Sequence, residues 1–99
     1  MYMIEWAWDD AKNTANSEKH GVSFEEALHV FTDPDGIEKE DMAHSSPRER
    51  RFWRTGRLGT GRVITVVYAR QGESKRLISA QERRRERREY ERAEKERKG

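Results

Sequence analysis

The stretch Val63-Ile64-Thr65-Val66-Val67-Tyr68 is apolar on both of the faces that an extended chain presents, so it must lie at the centre of a sheet with both sides covered. A chain of 99 residues supports one core of this kind and no second one, and it reads as a single domain over 1–99. Only 32% of the residues are hydrophobic and 40% are charged, so aromatic side chains such as Trp6, Trp8, Phe24, Phe31, Phe52, Trp53 and Tyr68 must supply much of the buried area. Any site on so small a core is an open groove on one face.

Around that strand the periodicities place the other elements. Tyr2, Ile4, Trp6 and Trp8 alternate as a half-buried strand running into Asp9, an N-cap for a helix over Asp10–His20 that Gly21 stops. Ser23 and Glu26 form a capping box before Phe24, Ala27, Leu28 and Phe31, the apolar stripe of a second helix ended by Asp33-Pro34-Asp35-Gly36. A polar edge strand near Ile37–Met42 follows, then a polar, mobile loop over Ala43–Pro47. Strands Arg50–Leu58, Arg62–Ala69 and Lys75–Ala80 form a meander through short glycine-containing turns. Glu82–Lys98 reads as a basic helix with Glu/Arg pairs at helical spacing, fraying over 91–99. The fold class is α+β: a small antiparallel sheet with two N-terminal helices and a C-terminal basic helix.

The net charge of +2 conceals a split, with eleven acidic and three basic side chains before residue 47 and eight acidic and eighteen basic from there on. The basic half suits a polyanion, and the acidic half suits a basic partner or the chain's own basic half. No cysteine is present, which excludes disulfides, thiolate zinc sites and cysteine nucleophiles. The longest apolar run, Val63–Ala69, is too short to span a bilayer, and residue 1 onward shows no secretion signal, so a cytoplasmic protein is expected. His20, His29 and His44 lack metal-ligand spacing, and phosphate-loop and dinucleotide motifs are absent, so neither metal nor cofactor is expected.

Plentiful arginine leaves one chemistry open. RNA carries its own nucleophile in the 2′-hydroxyl, and cleavage needs a base for that proton and cations for the crowded phosphate. Lys19 and His20 sit at a helix C-terminus, where the helix dipole favours positive charge, whether or not they do chemistry. Arg76 alternates with Ile78 and Ala80, sharing a face with apolar groups. Arg83, Arg84, Arg85, Arg87 and Arg88 form a candidate phosphate-contacting face. Trp53 beside Arg51 and Arg54, or Tyr90 beside Arg87, are candidate stacking platforms.

The ordered blocks Trp8-Asp9, Lys12, Asn16, Lys19-His20-Gly21-Val22, Phe24, Ala27, Val30-Phe31 and Asp33 resemble the N-terminal signature of the BrnT family. The likeness continues through Arg50-Arg51, Gly56, Gly61-Arg62-Val63, Val66-Val67-Tyr68, Arg76-x-Ile78-Ser79-Ala80 and Glu86-Arg87-x-x-Tyr90. It implies a RelE-like ribonuclease toxin of a type II toxin-antitoxin system that cuts RNA and arrests growth. It also implies a hetero-oligomer with a BrnA-like ribbon-helix-helix antitoxin, through which operator DNA is bound, and no membrane partner. Carried onto this chain, the resemblance makes His20 an acid or base, Arg51 and Arg76 stabilisers of the phosphate, and Lys19 and Arg87 RNA-binding cations, to which the basic run and the aromatic pattern add Arg83, Arg84 and Tyr90 as RNA-binding candidates. Gln81-Glu82 stand where relatives are commonly basic, which would shift that role onto Arg83 or Arg84. The competing reading is a basic module that binds nucleic acid or a partner and cleaves nothing.

Overall fold

Every residue from Val63 to Ala69 is buried in the computed structural model, which describes residues 6–98. The strand holding them, Val63–Gln71 (β4), lies between Ser74–Gln81 (β5) and Arg50–Arg57 (β3). Ile37–Glu40 (β2) forms one edge of the five-stranded sheet and Trp6–Ala7 (β1) the other. The four later strands pair antiparallel, β3, β4 and β5 through short turns, while β1 joins β5 in parallel through Trp6 opposite Lys75 and Ala7 opposite Arg76. Tyr2 and Ile4, read as the start of β1, lie outside the described residues.

The first helix, Asp10–His20 (α1), begins and ends where its caps place it. Asp9 Oδ1 accepts from the N–H groups of Ala11 and Lys12 at 2.8 and 3.2 Å, and Gly21 takes φ 66°, a left-handed conformation that glycine adopts without a Cβ clash. The second helix opens with its capping box, but only Phe24–Ala27 (α2) is α-helical; Leu28–Thr32 winds as a tighter 3₁₀ turn. The reason lies across the core. This turn packs on β3 at Gly56, where a Cβ would stand 2.9 Å from the Val30 carbonyl oxygen, so the backbones meet too closely for any side chain.

Residues directly opposite each other across a sheet point to the same face. Phe52, Gly56, Ile64, Val66, Tyr68, Leu77 and Ala80 face α1, α2 and the 3₁₀ turn, where Val22, Phe24, Ala27 and Val30 complete the core. Trp6, Phe31 and Tyr68 pack together with ring centroids 4.5 to 5.4 Å apart, joining β1, the 3₁₀ turn and β4. The opposite face is covered by the C-terminal helix, Arg84–Lys98 (α3), which continues through residues 91–98 with Glu94 on Arg57 and Arg97 on Asp35. Leu77 and Ala80 share the core face although three residues apart, because the β4–β5 register slips at Val67/Tyr68 and β5 carries an extra residue there. Arg76 therefore lies on the α3 face and not on the face of Ala80, contrary to simple alternation.

Beyond the short β1, the outer edge of β5 is closed by a side chain. Asn16 of α1 accepts from the Ala80 N–H at 3.1 Å and donates Nδ2 to the Ala80 carbonyl at 2.8 Å and the Val22 carbonyl at 3.0 Å. Its amide stands in for a neighbouring strand and docks α1 on the sheet. Replacing it with Ala leaves these buried backbone groups unpaired, and Asn16→Ala is expected to destabilise the fold by about 2–4 kcal/mol in urea or guanidinium unfolding.

Candidate active site

One cross-strand row gathers two of the expected residues. Ala69 on β4 pairs with Arg51 on β3 and with Arg76 on β5, so both arginines flank it on the α3 face, two strand spacings or about 10 Å apart at Cα. Glu49 joins them: Arg76 reaches its carboxylate at 3.4 Å and Arg51 at 3.9 Å. The Arg76 side chain is 46% exposed and that of Arg51 29% exposed, so both guanidinium groups are partly open to a ligand. Glu49 was not singled out from the sequence. Its spacing two residues before Arg51 on an extended segment was the available signal.

The next row holds Trp53, with Lys39 on one side and Val67 on the other. Arg83 lies over the Trp53 ring at 4.1 Å and also meets Glu86 at 3.6 Å. The neighbouring groove, of about 280 Å³, is lined by Asp41, Met42, Trp53, Arg85 and Glu86 among others. Arg54, expected beside Trp53, projects to the opposite face, over Phe31 and towards the Asp33 carbonyl.

His20 and Lys19 stand elsewhere. The His20 carbonyl accepts from Arg62 at 3.1 Å and the Gly21 carbonyl from the same guanidinium at 2.7 Å. Arg62 precedes the first residue of β4, roughly 20 Å along that strand from Ala69. The structure thus does not bring His20 to Arg51 and Arg76. Arg62 continues to Glu82 at 2.9 Å, and Glu82 to Arg87 at 3.7 Å, so Lys19 and His20 end up at a second charged surface. Arg84, Arg87 and Arg88 with Glu82 and Glu91 line an open groove there. Glu82, which departs from the resembled pattern, is the joint of this network.

Tyr90 is no stacking platform. It is 2% exposed, and its hydroxyl donates to Asp33 Oδ2 at 2.6 Å, because α3 needs a polar anchor on the sheet. Asp33 also accepts from the N–H groups of Arg57 at 2.8 Å and Asp35 at 2.9 Å, tying the end of the 3₁₀ turn to β3 and α3. Among the described residues no group of three or more His, Cys, Asp or Glu side chains is placed to hold a metal ion. No helix among them is long and apolar enough to cross a membrane.

A family model described as "Ribonuclease toxin, BrnT, of type II toxin-antitoxin system" matches residues 8–89. No curated protein matches the chain.

The Asp33 joint carries a pH dependence. Burial pushes the Asp33 carboxyl up, but the bonds from Tyr90, Arg57 and Asp35 and the charge of Arg54 outweigh it and hold the group below its ordinary value of 3.8. The Tyr90 phenol is pushed up to about 12 by burial and by its bond to Asp33. A carboxyl whose pKa is lower folded than unfolded stabilises fully above the unfolded value and ceases to do so as pH falls through the folded one. Asp33→Asn is therefore expected to cost about 1–3 kcal/mol at pH 7 and to lose less relative to the parent below pH 4, read from unfolding midpoints across that range.

Proposed function

The chain belongs to the BrnT family of ribonuclease toxins of type II toxin-antitoxin systems, and from that premise we propose that it cleaves single-stranded RNA at the Arg51–Arg76 row, without a metal ion, by attack of the ribose 2′-hydroxyl. The observation that carries this reading is the register, which sets two arginines on either side of Ala69 on one partly open face. A phosphodiester seated there exchanges Glu49 for a phosphate as the shared anion. Attack adds charge to the phosphorus centre, and two fixed guanidinium groups stabilise that charge more than the ground state. Two cations around one carboxylate also make a poor place for a third positive ion.

RNA flanking the scissile bond follows the cationic surfaces on either side of α3. Arg83 over Trp53 extends the row, and Arg84, Arg87 and Lys19 carry backbone phosphates further along, with His20 beside them and not at Arg51 and Arg76 as the acid or base. Cutting RNA in the cytoplasm halts translation and growth. Family membership implies an antitoxin partner; a BrnA-like ribbon-helix-helix protein covering the basic half, and binding operator DNA in the same complex, fits the charge split between the two halves of the chain.

The test is cleavage of a single-stranded RNA by the purified chain in EDTA. Arg51→Ala and Arg76→Ala are each expected to slow cleavage about 10²–10³-fold with melting temperature little changed, and the products to end in 2′,3′-cyclic phosphate and 5′-hydroxyl. Retention of RNA without cleavage would make the chain a binding module.

A further inference from the structure

The arginine row has a fourth member. Asp41 follows β2, and its N–H donates to the Arg51 carbonyl at 2.7 Å, continuing the β2–β3 pairing one residue past Glu40 opposite Phe52. Alternation then sets its side chain on the face of Ile37 and Lys39, which is the face of Arg51 and Arg76. Its carboxylate, 12% exposed, meets His44 Nδ1 at 2.8 Å, while the imidazole itself is 64% exposed.

The loop that carries His44 is built into the strand end. Met42–His44 forms a 3₁₀ turn closed by the His44 N–H on the Asp41 carbonyl at 3.2 Å. Ser45 Oγ donates to the same carbonyl at 2.8 Å and accepts from the Arg51 N–H at 2.9 Å. One hydroxyl thus ties the His44 turn to the backbone of Arg51. Burial pushes the Asp41 carboxyl up, but its bonds to His44 and the charge of Arg51 hold it below its usual range. Because a carboxylate only accepts, Nδ1 is the donor, and in the neutral form of the ring it is Nε2 that carries the lone pair.

We propose that His44, oriented by Asp41, is the group that takes the proton from the 2′-hydroxyl of an RNA phosphodiester held by Arg51 and Arg76; this rests on the ribonuclease reading above. The proton passes to Nε2 as the 2′-oxygen bonds to phosphorus. The bond from phosphorus to the 5′-oxygen breaks, that oxygen takes a proton from water, and the imidazolium returns its proton to the hydroxide left behind. Nothing is consumed, and the products are a 2′,3′-cyclic phosphate and a 5′-hydroxyl. Among the described residues, the charged groups bordering the turn include Asp41 itself, Arg51 and Glu49 from the β3 side, Lys39 and Glu40 from β2, Arg85 and Glu86 from α3, and Arg76 through Glu49.

The experiment measures RNA cleavage in EDTA against pH for the full chain and for His44→Ala, His44→Gln, Asp41→Asn, His20→Ala and Arg76→Ala, with thermal melts of each. Expected are a loss of about 10²–10⁴-fold in both His44 variants with disappearance of the acid limb of the profile, a smaller loss in Asp41→Asn that keeps the limb, and partial recovery of His44→Ala by free imidazole in the buffer. His44 variants that cleave like the parent while Arg76→Ala does not, or folded His44 variants that imidazole fails to rescue, overturn the proposal and leave the ribonuclease reading standing. An acid limb that moves in His20→Ala instead does the same. A parent chain that cuts no RNA, or an Arg76→Ala variant as active as the parent, removes the ribonuclease reading and this proposal with it.

Discussion

The amide of Asn16 does what a sixth strand would otherwise have to do. β1 ends at Ala7, opposite Arg76, so the N–H and C=O of Ala80 would face outward with no partner from it, and an unpaired buried backbone group is costly. By taking both, Asn16 fixes α1 on the sheet and sets the phase of β5 after its extra residue. That phase puts Leu77 and Ala80 together under the helices, and it leaves Arg76 free to face the other side. The extra residue in β5 is what brings Arg76 into the arginine row, and the helix side chain holds the strand edge just beyond it.

Arginine plays two different parts in the molecule. Arg57 and Arg62 are structural ties: the first donates to Gly61 and Glu94 and lies over Tyr90, the second clamps the end of α1 and meets Glu82. Among the described residues, Arg51 and Arg76 make ion pairs to Glu49, at 3.9 and 3.4 Å, long contacts that a phosphate could readily replace. The surplus of basic residues in the second half is therefore divided between holding α3 and α1 in place and leaving partly open cationic surfaces.

Capping and turn chemistry were legible residue by residue. Asp9, Gly21, the Ser23/Glu26 box and Asp33 each act where a local pattern places them, since such signals need only neighbours within four residues. Alternation failed wherever a long-range contact intervened. The close approach at Gly56 accompanies tighter winding of the second helix, the slip opposite Tyr68 turned Arg76 to the other face, and the Asp33 bond drew Tyr90 inward. Ala43–Pro47, read as a mobile polar loop, is held at its middle by Ser45 on the Arg51 backbone.

Order of elements, the central place of Val63–Tyr68, the α+β class and the resemblance to a ribonuclease toxin family all follow from the order of residue types, because burial and local hydrogen bonding act along the chain. Which side chains share a surface does not follow from that order. Arg51 met Arg76, and His20 parted from both, through register across three strands and one extra residue in β5. Register is a sum of pairings between segments far apart in the chain, and one residue of slip moves every later side chain to the opposite face.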